Sequence, residues 1–173
     1  IRVQGSTGAV LDPAPIALGN SYASQTRVIA LGSRWLVAWQ RNYTHDDPQG
    51  EVDAAFVEAG GSTPGEFTVN YNSFTPDVAA SAGMVLFTYR LNSAANANND
   101  VGARRMLPAG SFAGSGFVVA AGPNRQLEPA VAWNGSEFLL AWEDQRNGVN
   151  FYDSRTDLYG MRVREDGTIL DPA

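Results

Sequence analysis

The densest run of chemically capable side chains is WEDQRNGVNFYDSRTD at residues 142–157. Asp144, Asp153 and Asp157 lie in it, and a turning loop that offers several oxygen atoms to one point suits Ca²⁺. The spacing of these acids matches no EF-hand loop. The other interpretation is an ion-pair network in which Arg146 binds Asp144 or Asp157 across the loop, because a guanidinium fits carboxylate geometry.

Ligand contact is a third interpretation of the same loop, through Tyr152 and Arg146. Aromatic faces bind carbohydrate rings, and Trp35 and Trp133 are the tryptophans whose placement favours exposure. The remaining two tryptophans end apolar strands at equivalent places, which favours packing. The sequence therefore gives Trp35, Trp133, Tyr152 and Arg146 as candidate ligand-binding residues.

The histidine of the segment RNYTHDDPQGE could act as a general base. His45 is followed by Asp46 and Asp47, and a carboxylate can orient an imidazole for proton transfer. Sequence neighbours seldom adopt that geometry, so a solvated turn is the favoured interpretation. A zinc site is disfavoured because no second imidazole is present in the chain.

The sequence predicts no catalytic residues. A sialidase-like site needs arginines, a tyrosine and acids that converge on one axis. The candidate arginines show no repeating placement that aims them at one point; they are Arg27, Arg90, Arg104 and Arg125. The segment EDGTIL (165–170) has the Asp-Gly of an Asp-box but lacks its serine and tryptophan.

The composition excludes several classes of protein. The net charge is −6, which argues against nucleic acid and anionic membrane surfaces as partners, because both require a basic face. No apolar run approaches the ~18–20 residues of a membrane span. The chain has no cysteine, so disulfides and thiolate metal sites are excluded.

These segments recur because the chain repeats itself about every 50 residues. The opening IRVQGSTGAVLDPA returns at the end as MRVREDGTILDPA. Three further markers keep the same period: an aromatic that ends an apolar strand (Trp39, Tyr89, Trp142), an acid that opens the next strand (Glu51, Asp100, Asp157), and a small-residue turn (31–33, 81–83, 134–136). Four markers in register identify an internal repeat.

Each repeat predicts four strands. In the third repeat these are AVAW (130–133), EFLLAWE (137–143), DLYGMRV (157–163) and TILDP, which are rich in β-branched and aromatic residues and are bounded by turns. No segment shows a capped helical period. The sequence therefore predicts an all-β fold, a β-propeller-like arc of about three four-stranded antiparallel blades.

The markers divide the chain into the end of a preceding blade at 1–19 and blades at 20–72, 73–123 and 124–173, the last strand being incomplete. Three blades cannot close a ring, since propellers have about 4–8. Bare blade faces and strand edges would favour aggregation. We therefore expect either a longer parent chain or a homodimer that closes a six-blade ring.

The third repeat resembles a repeat found in large secreted and cell-surface proteins of bacteria. The likeness rests on the segments AWNG, WEDQR, DLYGMRV and DGTILDP. It extends over the whole chain but is weakest in the second repeat, where Tyr89 replaces the tryptophan and Val101-Gly102 replaces Ile-Tyr. The resemblance implies a bacterial, extracytoplasmic, propeller-like module and implies no reaction.

Together these features predict a non-enzymatic extracytoplasmic module of a bacterial secreted or surface protein, with a binding or scaffolding role. The alternative is a lectin-like propeller fragment, or one from a glycoside hydrolase or sialidase. The expected partner is a protein or glycan ligand, and no cofactor is required, Ca²⁺ being the single candidate. Loops 41–51, 91–100 and 143–156 join equivalent strands, so we expect them to share one face and to make the contacts.

Overall fold

Every element in the described part of the chain is a β-strand. The computed structural model describes residues 1–19, 22–42, 50–92, 99–149 and 155–171. They contain no helix and thus no helical segment long and apolar enough to cross a membrane. The predicted all-β class is confirmed.

The strands form three antiparallel sheets in chain order, which we name blades 1 to 3. Blade 1 contains β1 (Ala23–Leu31), β2 (Arg34–Arg41), β3 (Glu51–Val57) and β4 (Glu66–Tyr71). Blade 2 contains β5 (Ser73–Ala80), β6 (Val85–Asn92), β7 (Asn99–Met106) and β8 (Phe117–Ala120). Blade 3 contains β9 (Gln126–Trp133), β10 (Phe138–Asp144) and β11 (Asp157–Val163).

The predicted strand TILDP is reduced to one isolated bridge, between Val163 and Ile169. Blade 3 therefore has three strands among the described residues, where the sequence predicted a fourth, incomplete one. An equivalent isolated bridge joins Val3 to Val10, so the first and last segments of the chain adopt the same local structure.

Tight turns connect the first two strands of each blade. Gly32 between β1 and β2 has φ 63°, and Gly135 between β9 and β10 has φ 104°, conformations that favour glycine. At the second turn the Asn134 side-chain oxygen accepts hydrogen bonds from the backbone N–H groups of Ser136 (2.9 Å) and Glu137 (3.0 Å). The sequence NGS is therefore a turn, as predicted.

The blades pack face to face, and each has two apolar faces. We name the face toward the next blade in the chain the trailing face and the opposite one the leading face. The trailing face of blade 1 packs on the leading face of blade 2, with these buried residues: Leu36, Ala38, Val52, Ala54, Val85, Phe87, Tyr89 and Met106. The trailing face of blade 2 packs on the leading face of blade 3 in the same way, through Leu86, Val101, Ala103, Phe138, Leu140, Trp142, Met161 and Val163.

This two-sided packing explains the sequence pattern of the second strand in each blade. In β2 the run from Leu36 to Gln40 is buried throughout, because alternate side chains enter two different interfaces. The inner strands β1, β5 and β9 lie next to each other. They define the axis around which the blades are arranged.

Candidate functional site

The long loops leave the sheets at the end where the inner strands begin. In each blade the backbone N–H at the end of the second strand donates to the carbonyl that precedes the first strand. The pairs are Asn42 with Tyr22 (3.3 Å), Asn92 with Asn72 (2.9 Å) and Gln145 with Arg125 (2.8 Å). We name this side of the molecule the loop end. Because the strand ends meet here, it is where a ligand would contact several blades.

Several predicted candidates fall in parts of these loops that lie outside the described residues. They are His45, Asp46, Asp47, Tyr152 and Asp153. The interpretations that rest on them remain predictions.

The inner strands are bulged at one equivalent position near the loop end. Gln25, Thr75 and Glu128 have φ values of 51°, 48° and 46°, in the left-handed region that is unusual for residues other than glycine. The register of each inner strand against its neighbour shifts at the same place. Bulges redirect side chains, and strained backbone is concentrated at functional sites. The backbone of the inner strands is therefore irregular near the loop end.

The bulge in blade 2 receives a polar side chain from the preceding blade. The Gln40 side-chain oxygen accepts a hydrogen bond from the Thr75 backbone N–H at 3.1 Å. Arg90 occupies in blade 2 the position of Gln40 in blade 1, and it interacts electrostatically with Glu128 and Arg125. Burial lowers the pKa of the Arg90 guanidinium, the Glu128 carboxylate raises it, and Arg125 lowers it.

The electrostatic interaction of Arg90 with Arg125 and Glu128 was not predicted from the sequence, where the arginines showed no common target. Arg90 also lies over the Phe74 ring, with its guanidinium carbon 4.8 Å from the ring centre. Together these side chains give the loop end a mixed-charge surface between blades 2 and 3.

Some buried polar atoms at this end have no hydrogen-bond partner among the described residues. They are Thr75 Oγ1, Arg90 Nε, Gln126 Oε1 and Gln145 Oε1. Gln126 is completely buried. Buried polar atoms are nearly always paired, so these atoms point to water, ligand or loop groups as their partners.

Asp77 holds the three inner strands together below the bulges. Its carboxylate lies 3.2 Å from the Arg27 guanidinium of blade 1 and accepts the Val131 backbone N–H of blade 3 at 2.8 Å. Arg27 and Asp77 are both partly exposed. The Asp77 carboxylate therefore joins blade 2 to both blade 1 and blade 3.

The predicted cluster at 142–157 contains an ion pair. Asp144 is fully buried and accepts hydrogen bonds from Arg146 Nη2 (2.7 Å), Arg146 N (2.8 Å) and Trp142 Nε1 (2.9 Å). The Arg146 guanidinium also lies 4.1 Å from the centre of the Tyr159 ring. Of the two pairs that the sequence offered, the structure forms Arg146 with Asp144.

Burial by itself would raise the pKa of Asp144, but the hydrogen bonds from Arg146 and Trp142 outweigh it and hold this pKa below the usual range. Asp144 is therefore an ionised structural group that fixes the base of the loop. Arg146, a predicted ligand residue, is largely committed to the same pair.

The calcium hypothesis for Asp144, Asp153 and Asp157 remains a prediction, since Asp153 lies outside the described residues. Asp157 accepts a hydrogen bond from the Asn147 side-chain amide at 2.8 Å. Within the described ranges, no group of three or more acidic or histidine side chains is placed to hold a metal ion.

Trp35 and Trp133 lie away from the loop end. Trp35 is the second residue of β2 and lines a groove on the leading face of blade 1. Trp133 ends β9 and packs against Phe138 with ring centres 4.7 Å apart. Both are only partly buried. The structure therefore does not bring these two tryptophans together with Arg146.

Among the described residues of the loop end, two exposed aromatics are tyrosines that were not predicted as candidates from the sequence. Tyr22 precedes β1 and is 61% exposed, and Tyr71 ends β4 and is 65% exposed. Rings this open can offer a face to a ligand. Their position next to the ends of β1 and β4 was the available signal, since each adjoins a strand end at the loop side.

Blade 1 carries a second ion-pair network near the position of the Asp144 pair. Arg41 binds Glu51 at 2.6 Å and Asp53 at 2.7 Å, and both acids are buried. Burial raises the pKa of Asp53, against the lowering effects of a hydrogen bond with Thr68 and the charge of Arg41. In blade 1 the arginine ends β2 and the acids lie on β3, whereas in blade 3 the acid ends β10 and the arginine follows it in the loop.

Comparison with known proteins shows the fold. No protein-family model matches the chain, and no curated protein matches it in sequence. Among solved structures, the chain is similar to an α-L-arabinofuranosidase from Lactobacillus brevis, with 12% identity and a TM-score of 0.62 over 91% of this chain and 58% of that one.

Two further structures are similar. One is an N-acetylgalactosamine deacetylase from F. plautii in complex with blood group B trisaccharide (10% identity, TM-score 0.59, 84% of this chain and 50% of that one). The other is a GH43 endo-arabinanase from Bacillus licheniformis (12% identity, TM-score 0.51, 86% and 59%). The chain therefore spans between half and three fifths of these structures. At such identities the likeness establishes a propeller-like arc.

Proposed function

We propose that this chain is a carbohydrate-binding propeller module that holds its ligand at the loop end without transforming it. The observation that carries the proposal is the electrostatic interaction of Arg90 with Glu128 and Arg125 beside the bulged inner strands. Carbohydrates present many hydroxyl groups, and a site with both donors and acceptors in a partly buried setting can pair with them.

The buried polar atoms without partners in the described residues support the same proposal. Thr75 Oγ1 and Gln126 Oε1 could accept hydroxyl hydrogens, and Arg90 Nε could donate to a ring or hydroxyl oxygen. The exposed rings of Tyr22 and Tyr71 add apolar faces at the same end. The names of the three similar structures refer to arabinosides, an amino sugar and a trisaccharide, which favours a saccharide over a peptide.

Binding is favoured over hydrolysis because glycoside hydrolysis generally needs two available carboxyl groups. Of the acids on the inner strands, Asp77 is bound to Arg27 and to the Val131 amide. Glu128 is left as the exposed acid, and it faces the charge of Arg90. We also propose an extracytoplasmic location, which the resemblance to secreted bacterial repeats supports.

The test is isothermal titration calorimetry of the full chain with an arabino-oligosaccharide and with blood group B trisaccharide. We expect saturable binding to at least one of them. Arg125→Ala and Glu128→Gln should each weaken it about tenfold, the effect of losing a hydrogen bond to a charged group. Arg164→Ala is the control, because Arg164 is exposed on the turn after β11, at the opposite end of the sheet.

Absence of binding to both saccharides, or equal loss of binding in the control variant, would overturn the proposed site. Release of reducing sugar from either saccharide, abolished by Glu128→Gln, would instead show a hydrolase and overturn the non-enzymatic part.

A further inference from the structure

The trailing face of blade 3 is bare, although the same face is closed in the other two blades. Leu139 is 49% exposed and Leu158 is 82% exposed. The residues at the position of Leu139 are Leu36 in blade 1 and Leu86 in blade 2, and those at the position of Leu158 are Val52 and Val101. All four are completely buried. The bare face therefore has the side chains of an interface between blades.

Ala141 and Gly160 complete this face, and both are exposed. They pair with each other across β10 and β11, as Ala38 pairs with Ala54 in blade 1, where both are completely buried. Small residues at these positions let the next blade approach closely. What covers the equivalent face in blades 1 and 2 is the leading face of another blade of this chain.

Residues 1–18 dock on the leading face of blade 1 as the end of a blade docks on its successor. Ile16 and Leu18 pack against the buried cluster that contains Val37 and Trp39. Arg2 donates a hydrogen bond to the Ala59 carbonyl, which is the second residue after the end of β3.

The same contact recurs between blades 2 and 3. Arg105, next to the end of β7, donates to the carbonyl of Glu165, the second residue after the end of β11, at 3.2 Å. An arginine near the end of the third strand thus marks the junction with the following blade. Arg162 holds this position in blade 3 and is partly exposed.

Residues 1–12 and 162–171 are also built alike. Arg2 binds Asp12 through its backbone N–H (2.5 Å) and its side chain (2.9 Å). Arg162 binds Asp171 through its backbone N–H (2.7 Å) and its side chain (2.7 Å). The last turn of blade 3 therefore has the local structure needed to occupy the place that residues 1–12 hold on blade 1.

We propose that the trailing face of blade 3 docks on the leading face of blade 1 of a second copy of this chain. In this contact, residues 157–171 of one copy replace residues 1–18 of the other. Arg162 then donates a hydrogen bond to the Ala59 carbonyl in place of Arg2. The leading face of blade 1 keeps an open apolar groove of about 310 Å³, lined by Val28, Trp35, Val37 and Val57 together with parts of residues 1–18. Leu139 and Leu158 supply apolar side chains for this face.

Residues 1–18 are consequently an intramolecular competitor of association. A tethered segment acts at an effective concentration in the millimolar range, so it holds the association weak in the intact chain. The contact is head-to-tail, and a head-to-tail contact closes into a ring only if the rotation between copies permits it.

Sedimentation velocity of the full chain over a concentration series tests the proposal. We expect concentration-dependent association that Leu158→Glu and Leu139→Glu each abolish. Val118→Glu is the matched control, because Val118 is a strand residue of blade 2 with the same 49% exposure as Leu139, and it should leave association unchanged.

Arg2→Ala distinguishes this specific contact from nonspecific association through an exposed apolar patch. It removes the hydrogen bond from Arg2 to the Ala59 carbonyl, which helps to hold residues 1–18 on blade 1, so we expect association about tenfold tighter than that of the unaltered chain. Asp12→Asn weakens the bonds that orient the Arg2 side chain toward the Ala59 carbonyl and should act in the same direction. Circular dichroism checks that each variant keeps its sheet content.

A chain that stays monomeric throughout the series, with or without Arg2→Ala, would overturn the proposal. So would association that Leu158→Glu and Leu139→Glu leave intact, or that Arg2→Ala weakens. None of these outcomes depends on saccharide binding, so this proposal and the proposed function fail separately.

Discussion

Asp144 is a buried acid whose contribution to stability depends on its charge. The hydrogen bonds from Trp142 and Arg146 lower its pKa in spite of burial, so folding favours the ionised form. This contribution is complete above the ordinary aspartate pKa of about 3.9 and is lost as the pH falls below it through the lower folded value. Asp144→Asn should cost about 2 kcal/mol at pH 7.

Urea unfolding at pH 7 and at successively lower pH checks this. The difference between the unaltered chain and Asp144→Asn should shrink as the pH falls below about 3.9. A difference that stays constant down to the acid limit would mean that the carboxylate charge contributes nothing beyond its shape.

Asp53 should show the opposite dependence on pH. Burial raises its pKa, so its ionised form is disfavoured in the folded state relative to the unfolded state. The stability of the unaltered chain relative to Asp53→Asn should therefore decline as the pH rises from about 3.9 through the raised folded value, and then stay level. The same urea series measures this. A relative stability that rises with pH would show that Arg41 outweighs the effect of burial.

At the scale of the element, the strained bulges of the inner strands lead to a stability prediction. Glycine adopts positive φ without strain, so Gln25→Gly and Glu128→Gly should each raise the free energy of unfolding by about 0.5–1 kcal/mol. Glu128→Gly should also lose saccharide binding, because it removes the acid. Ala30→Gly is the control: Ala30 lies in β1 and is not among the residues with positive φ, so glycine there should destabilise.

Urea unfolding of the three variants is the measurement. If Gln25→Gly and Glu128→Gly were as destabilising as Ala30→Gly, the bulges would not store strain.

The bulges also mark the limit of what the sequence predicted. DLYGMRV was predicted as a strand and is β11 residue for residue, since its composition and turns are local signals. The bulges of the inner strands, which lie where one blade packs on the next, were not predicted from the sequence. Pro76 and Pro129 directly follow the bulged Thr75 and Glu128, and a proline within a strand was the signal that could have located two of the three bulges.

The candidate site was less predictable than the fold for the same reason. The Arg146–Asp144 pair joins residues two apart in the sequence and was among the predicted alternatives. Arg90 and Glu128 belong to different blades, so their proximity follows only from the way blade 2 packs on blade 3.

At the scale of the whole molecule, blades that contact only their neighbours behave as a short linear array. Blade 2 is covered on both faces, whereas blade 3 leaves Leu139 and Leu158 exposed. Amide hydrogen exchange should therefore be slowest in β6 and β7 and clearly faster in β10 and β11, because local opening follows the number of buried contacts. Equal protection in all three blades would show one cooperative unit instead.

Paired substitutions at the two interfaces test the same array directly. Phe87 lies between blades 1 and 2 and Phe138 between blades 2 and 3, and both are completely buried. Each change to alanine removes about 3–5 kcal/mol of packing, but from a different junction. Phe138→Ala should accelerate exchange in β10 and β11 while β2 and β3 keep their protection. Phe87→Ala should accelerate exchange in β2 and β3 while β10 and β11 keep theirs.

Association of copies through the trailing face would cover the second face of blade 3. Hydrogen-exchange protection of β11 that rises with protein concentration would therefore support the proposed contact between copies.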